Sequence, residues 1–198
     1  MAATALIVDL GASGTAHAGP LDEYPSVNTS DFANYRSYGW AAVQFVTDSG
    51  VRCRIYNGPA SFQYSADVTC WGDLPGAEPG VNVAEVSMHG KVWATEGRNP
   101  TPADGPPVFA FFNHADDLSG HETYLEGFKT KQVDPASYHL LPPGHKIVVP
   151  GGRDGSAVND SVCAAGDGDL LICELRNIGA GHHETHGFRL SPLGSSVY

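Results

Sequence analysis

The chain has little positive charge. Its 198 residues carry 11 Lys and Arg against 22 Asp and Glu, a formal net charge of −11. Nucleic acid and anionic membrane surfaces reward basic patches, so both are poor partners for it. After the N-terminal stretch, no segment approaches the ~20 apolar residues of a membrane-spanning helix. Close C-x-x-C pairs, which mark cysteine-built zinc sites, are missing. So are G-x-S-x-G, G-x-x-x-x-G-K-[ST] and G-x-G-x-x-G. That removes the usual serine nucleophile elbow and the two common phosphate cradles. Helical stripes of apolar residues are scarce as well.

What is present points to strands. The chain has 24 Gly and 14 Pro, and short apolar-alternating runs lie between them. The sequence predicts one all-β domain, a small sandwich or barrel of antiparallel strands with at most one short helix. Its seed is Trp40 to Gly76. Ala42, Gln44 and Val46 alternate with Ala41, Val43, Phe45 and Thr47. Asp48-Ser49-Gly50 supplies a turn. Val51, Cys53 and Ile55 then alternate with Arg52, Arg54 and Tyr56, which places the arginines toward water. Val68 to Trp71 is a third strand.

The four cysteines allow three pairings. Two local disulfides, Cys53–Cys70 and Cys163–Cys173, are predicted, and disulfides imply an oxidising compartment. Residues 1–18 contain an apolar run followed by Ala16-His17-Ala18, an A-x-A cleavage pattern. They read as the end of a secretory signal, although Asp9 interrupts the run and no Lys or Arg precedes it. Residues 19–38 read as an N-terminal extension, with Thr29 or Ser30 capping one short helix through Tyr35. Residues 39–198 form the single β-domain. Further strands are predicted at 81–88, 91–94, 108–112 (the most apolar, hence central), 123–129, 138–141, 146–149, 161–163, 170–173 and, last, 186–191. Loops are predicted at 96–107 and 151–160.

Two clusters have chemistry-bearing side chains. His182, His183, Glu184 and His186 are divalent-metal ligand types. They lack the helical H-E-x-x-H spacing, and Gly179, Gly181 and Gly187 predict a loop. His114, Asp116, Asp117, His121 and Glu122 mix imidazoles with carboxylates, the groups for metal binding or acid/base work. Solvent-facing loops account equally well for both. Asp167 and Asp169 sit in a Gly-rich turn that fails the twelve-residue calcium pattern. Trp40, Trp71 and Trp93 suit either a core or a sugar-stacking platform.

Phe45-Val46-Thr47-Asp48-Ser49-Gly50 precedes Cys53, and Cys70 precedes Leu74-Pro75. Leu141 to Gly144, the Cys163 and Cys173 hairpin and His186-Gly187-Phe188 follow. In this pattern the chain resembles small secreted proteins of actinobacteria, mycobacteria especially, whose function is unknown. The resemblance covers about Trp40 to Phe112 and Tyr138 to Tyr198. It implies no catalytic residues, and it makes His186 part of a backbone turn into the last strand. The acidic, His-rich stretch around 114–122 departs from the pattern.

The reading is therefore a secreted or cell-envelope monomer without catalytic residues or a cofactor, binding a glycan or protein. The alternative is a hydrolase or a divalent-metal binder using the His, Asp and Glu clusters.

Overall fold

The computed structural model describes residues 21–37, 40–57, 66–87, 108–112, 118–126, 129–154, 157–179 and 182–198. The predicted segments 1–18, 91–94 and 96–107, and residues His114, Asp116 and Asp117, lie outside the described residues.

Alternation of apolar and polar residues builds two antiparallel sheets. The first contains β1 (Ala33–Ser37), β2 (Trp40–Val46), β3 (Arg52–Asn57), β4 (Ala66–Trp71), β5 (Val83–Ser87) and β6 (Val108–Phe112), in that order. A detached hairpin follows, β7 (Thr123–Glu126) with β8 (Lys129–Gln132). The short β9 (His139–Leu140) then joins the first sheet by pairing parallel to β2. The second sheet is a meander of β10 (His145–Asp154), β11 (Ala157–Ala165), β12 (Leu171–Gly179), β13 (His182–Leu190) and β14 (Ser196–Val197). Among the described residues there is no α-helix, only short 3₁₀ turns.

The two sheets stack as a sandwich. One core takes Val43, Phe45, Ile55, Val68 and Val86 from the first sheet and Ile147, Leu175, Phe188 and Leu190 from the second. Both predicted disulfides are formed and lie in this core. Cys53 and Cys70 are direct cross-strand partners on β3 and β4, and Cys163 and Cys173 are partners on β11 and β12. In each pair the Cα atoms are 4.1 Å apart, as directly opposed residues on neighbouring strands.

Several expectations change. Residues 21–37 belong to the domain rather than to an extension. Leu21 is buried against Val162, Ala164 and Ile172, Phe32 enters the main core, and β1 pairs with β2. The predicted helix is a single 3₁₀ turn, Thr29–Phe32, capped by Asn28. Its chain then straightens into β1, where pairing satisfies the backbone that a longer helix would have satisfied internally. Among the described strands, the apolar β6 ends the path instead of lying at its centre. Apolarity reports burial of faces and does not report position in the strand order. Residues 151–160 are mostly β-ladder, because β10 and β11 extend to Asp154 and Ala157 past a register shift. Residues 182–190 are strand β13, not a loop, with Gly187 in its interior. The glycine there answers close packing: a Cβ on Gly187 would overlap the Cys173 carbonyl oxygen. His186-Gly187-Phe188 is therefore mid-strand rather than a turn, and β14 follows it.

Candidate binding face

The first sheet has an apolar face and a polar one. Cys53, Ile55, Val68, Cys70, Ala84 and Val86 point into the core. The alternate positions point the other way, and register lines them up in rows. Gln44, Arg54, Thr69 and Glu85 form one row, and Tyr56, Asp67 and Ser87 the next. Gln44, Asp67, Thr69, Glu85 and Ser87 are all buried. Burying polar groups is costly unless they are hydrogen-bonded, so a sheet face built this way is a marked feature.

One end of this face lies under a strap that begins at Leu118 and ends at Tyr138, of which His121, Glu122, Val133 and Tyr138 reach the sheet. Its 3₁₀ turn, Leu118–Glu122, brings His121 and Glu122 onto the sheet. His121 stacks on Trp71, with ring centroids 5.1 Å apart and planes at 22°. Arg54 donates to the His121 carbonyl and lies 5.5 Å from the Trp71 ring centroid. Val133, Tyr138, Trp71 and Val83 pack as a small apolar cluster beside them.

Glu122 is the centre of the contact. Its Oε1 accepts from Arg52 Nη1 at 2.7 Å and from Trp71 Nε1 at 2.9 Å. Its Oε2 accepts from the Tyr138 hydroxyl at 2.8 Å. Tyr138 in turn accepts from Gln44 Nε2 at 3.1 Å, which leaves the phenolic proton for Glu122. Burial would raise this carboxyl, but hydrogen bonds from Trp71, Arg52 and Tyr138, with the Arg52 charge, outweigh it and hold the group below the usual carboxylate value. A carboxylate with both oxygens engaged and a lowered pKa is an anchor and a weak general base.

The chain matched no protein-family model, no curated protein and no solved structure.

The sequence clusters fare differently from one another. Of the cluster at 114–122, His121 and Glu122 meet Trp71 on the polar face. Of the cluster at 182–186, His182, His183, Glu184 and His186 all lie on β13. His186 is half-buried opposite Leu175. Among the described residues, no three His, Cys, Asp or Glu side chains gather as a metal site. Asp169 has a φ of 61° beside Gly168 at 65°, as the turn reading of this pair requires. Trp71 is buried and serves the packing rather than an exposed stacking platform.

Sequence reasoning missed Gln44, Asp67, Thr69, Glu85 and Ser87 as a group. The signal was present, since each interrupts an apolar strand at every second position. It reads as solvent exposure until a covering segment is known.

A second polar network ties the first turn and the last strand to the far side of the second sheet. Arg176 donates to Asp22 at 2.8 Å and to Glu174 at 3.0 Å, and the Tyr198 hydroxyl donates to Glu174 at 2.8 Å. Hydrogen bonding and charge from Arg176 hold the Asp22 carboxyl low. Burial, then the charge and hydrogen bond of Glu174, push the Tyr198 phenol well up.

Proposed function

We propose that this chain is an exported, disulfide-braced β-sandwich that binds a glycan or protein of the cell envelope or its surroundings, without catalysing a reaction on it. The observation that carries the reading is the pair of cross-strand disulfides in one core, with no cysteine left free. Four cysteines committed this way suit an oxidising compartment. The resemblance to small secreted actinobacterial proteins supports the same reading, as does the A-x-A pattern at residues 16–18. Against hydrolysis, the Glu122 carboxylate is already engaged by three donors.

The test is co-sedimentation of the oxidised protein with envelopes isolated from its own host. Saturable binding that disappears on reduction is expected. Binding that never saturates, or binding confined to cytoplasmic fractions, would overturn the reading.

A further inference from the structure

A cleft opens at one end of the sandwich, between three turns that join β2 to β3, β9 to β10 and β11 to β12. Backbone hydrogen bonds hold its walls. Gly50 N–H donates to Thr47 O at 2.9 Å, and Gly166 N–H donates to Leu170 O at 2.8 Å. Gly144 N–H donates to Ala165 O at 2.7 Å and so ties two of the turns together. The cleft is therefore formed before any ligand arrives, as binding clefts commonly are.

Its lining is of two kinds. Leu141 and Ala165 are buried and Leu170 is half-buried, which makes the floor apolar. Asp48, Ser49 and Asp169 are exposed at the rim. The two carboxylates come from opposite sheets. Among the described residues, neither has a hydrogen-bond or ion-pair partner, and no Lys, Arg or His lines the cleft.

These features select one kind of occupant. An apolar floor takes an aliphatic stem, and carboxylates above it take a positive charge at the stem's end. Lysine has both parts, and its ammonium has three donors for two carboxylates and the Ser49 hydroxyl to share. The open space, about 380 Å³, suits a single long side chain. No aromatic ring lines the cleft for a sugar to stack on. Two carboxylates also fall well short of the oxygen cage that calcium requires.

We propose that this cleft is a lysine-binding site, which takes a lysine side chain presented by a protein partner. The inference rests on the binding function proposed above and selects a protein over a glycan.

The test is titration of the full oxidised chain with Nα-acetyl-lysine methylamide, read by amide NMR shifts. Saturable shifts are expected at residues 47–51 and 165–170. Nα-acetyl-norleucine methylamide, which has the same stem without the ammonium, should produce none. Asp48→Asn and Asp169→Asn should each weaken lysine binding about twofold to fivefold, as loss of an exposed ion pair does. Asn tolerates the left-handed φ of 61° at position 169, so that variant keeps the turn.

Shifts that never saturate, or an equal response to norleucine, would overturn the site. Unchanged affinity in both Asn variants would do the same. Calcium chloride that saturates the same amides and displaces lysine would make this a metal site and overturn the lysine assignment. Co-sedimentation with host envelopes then separates the two readings. Envelope binding that survives in the double variant would place the partner on another surface and overturn the lysine site alone. Lysine binding in a chain that ignores envelopes would overturn the function proposed above and leave the cleft standing.

Discussion

Trp71 Nε1 donates to Glu122 Oε1 at 2.9 Å, joining residues 51 positions apart. Trp71 ends β4, directly after the cysteine that closes the first disulfide. The indole thus couples the braced core to the strap. Glu122→Ala leaves a buried indole N–H and a phenol without their acceptor. It should lower stability by about 2–3 kcal/mol in chemical denaturation, after discounting the partly exposed Arg52 contact. A loss below about 0.5 kcal/mol would mean that water replaces the carboxylate freely.

The same residue sets an acid limit. The Glu122 carboxyl lies lower in the folded chain than in the unfolded one. Its contribution is therefore complete above the unfolded value of about 4.3 and is lost as pH falls through the lower folded value. From this group the melting temperature should be flat between about pH 8 and pH 5 and should fall only in stronger acid. Glu122→Gln should remove part of that acid-limb slope. An identical slope in the variant would assign acid sensitivity to other carboxylates.

Each disulfide should stabilise the fold by about 3 kcal/mol in the chain-entropy account, since the closed loops are short. The sequence separations are 17 and 10. Replacing Cys53 and Cys70 together by Ala, or Cys163 and Cys173 together, should cost comparable amounts in denaturant titrations. Loss of cooperative unfolding in only one double variant would show that one hairpin nucleates the sandwich alone.

Gly187→Ala should destabilise by about 1–3 kcal/mol, the usual cost of overpacking. The added carbon would overlap the Cys173 carbonyl and come within 3.1 Å of the Tyr198 hydroxyl. Gly120, where nothing lies within 4 Å, is the matched control, and Gly120→Ala should be close to neutral. Equal melting temperatures for the two variants would contradict the packing account.

Local chemistry made much of this fold legible. The turn at Asp48-Ser49-Gly50 is closed by Gly50 N–H donating to Thr47 O at 2.9 Å, with Gly50 at a φ of 83°. The alternation of Val51, Cys53 and Ile55 against Arg52 and Arg54 gives the observed burial. Cysteine spacing on neighbouring strands gave both disulfides. Glycine was the weak point, because a glycine that leaves room for a neighbouring strand looks in sequence like one that breaks a strand. Gly187 is the example. The site was less legible. Arg52 and Arg54 read as water-facing because the segment that covers them begins more than 60 residues later, as the separation of 70 between Arg52 and Glu122 shows. Alternation identifies a face, and only the tertiary fold says what lies on it.

The proposed function requires that this sandwich be exported and oxidised. Intact mass of the protein recovered from its own host, with and without reduction, tests it most directly. The account predicts recovery outside the cytoplasm, a chain beginning at Gly19, and a gain of four hydrogens on reduction as Cys53–Cys70 and Cys163–Cys173 open. A cytoplasmic protein with free thiols and residues 1–18 retained would contradict it.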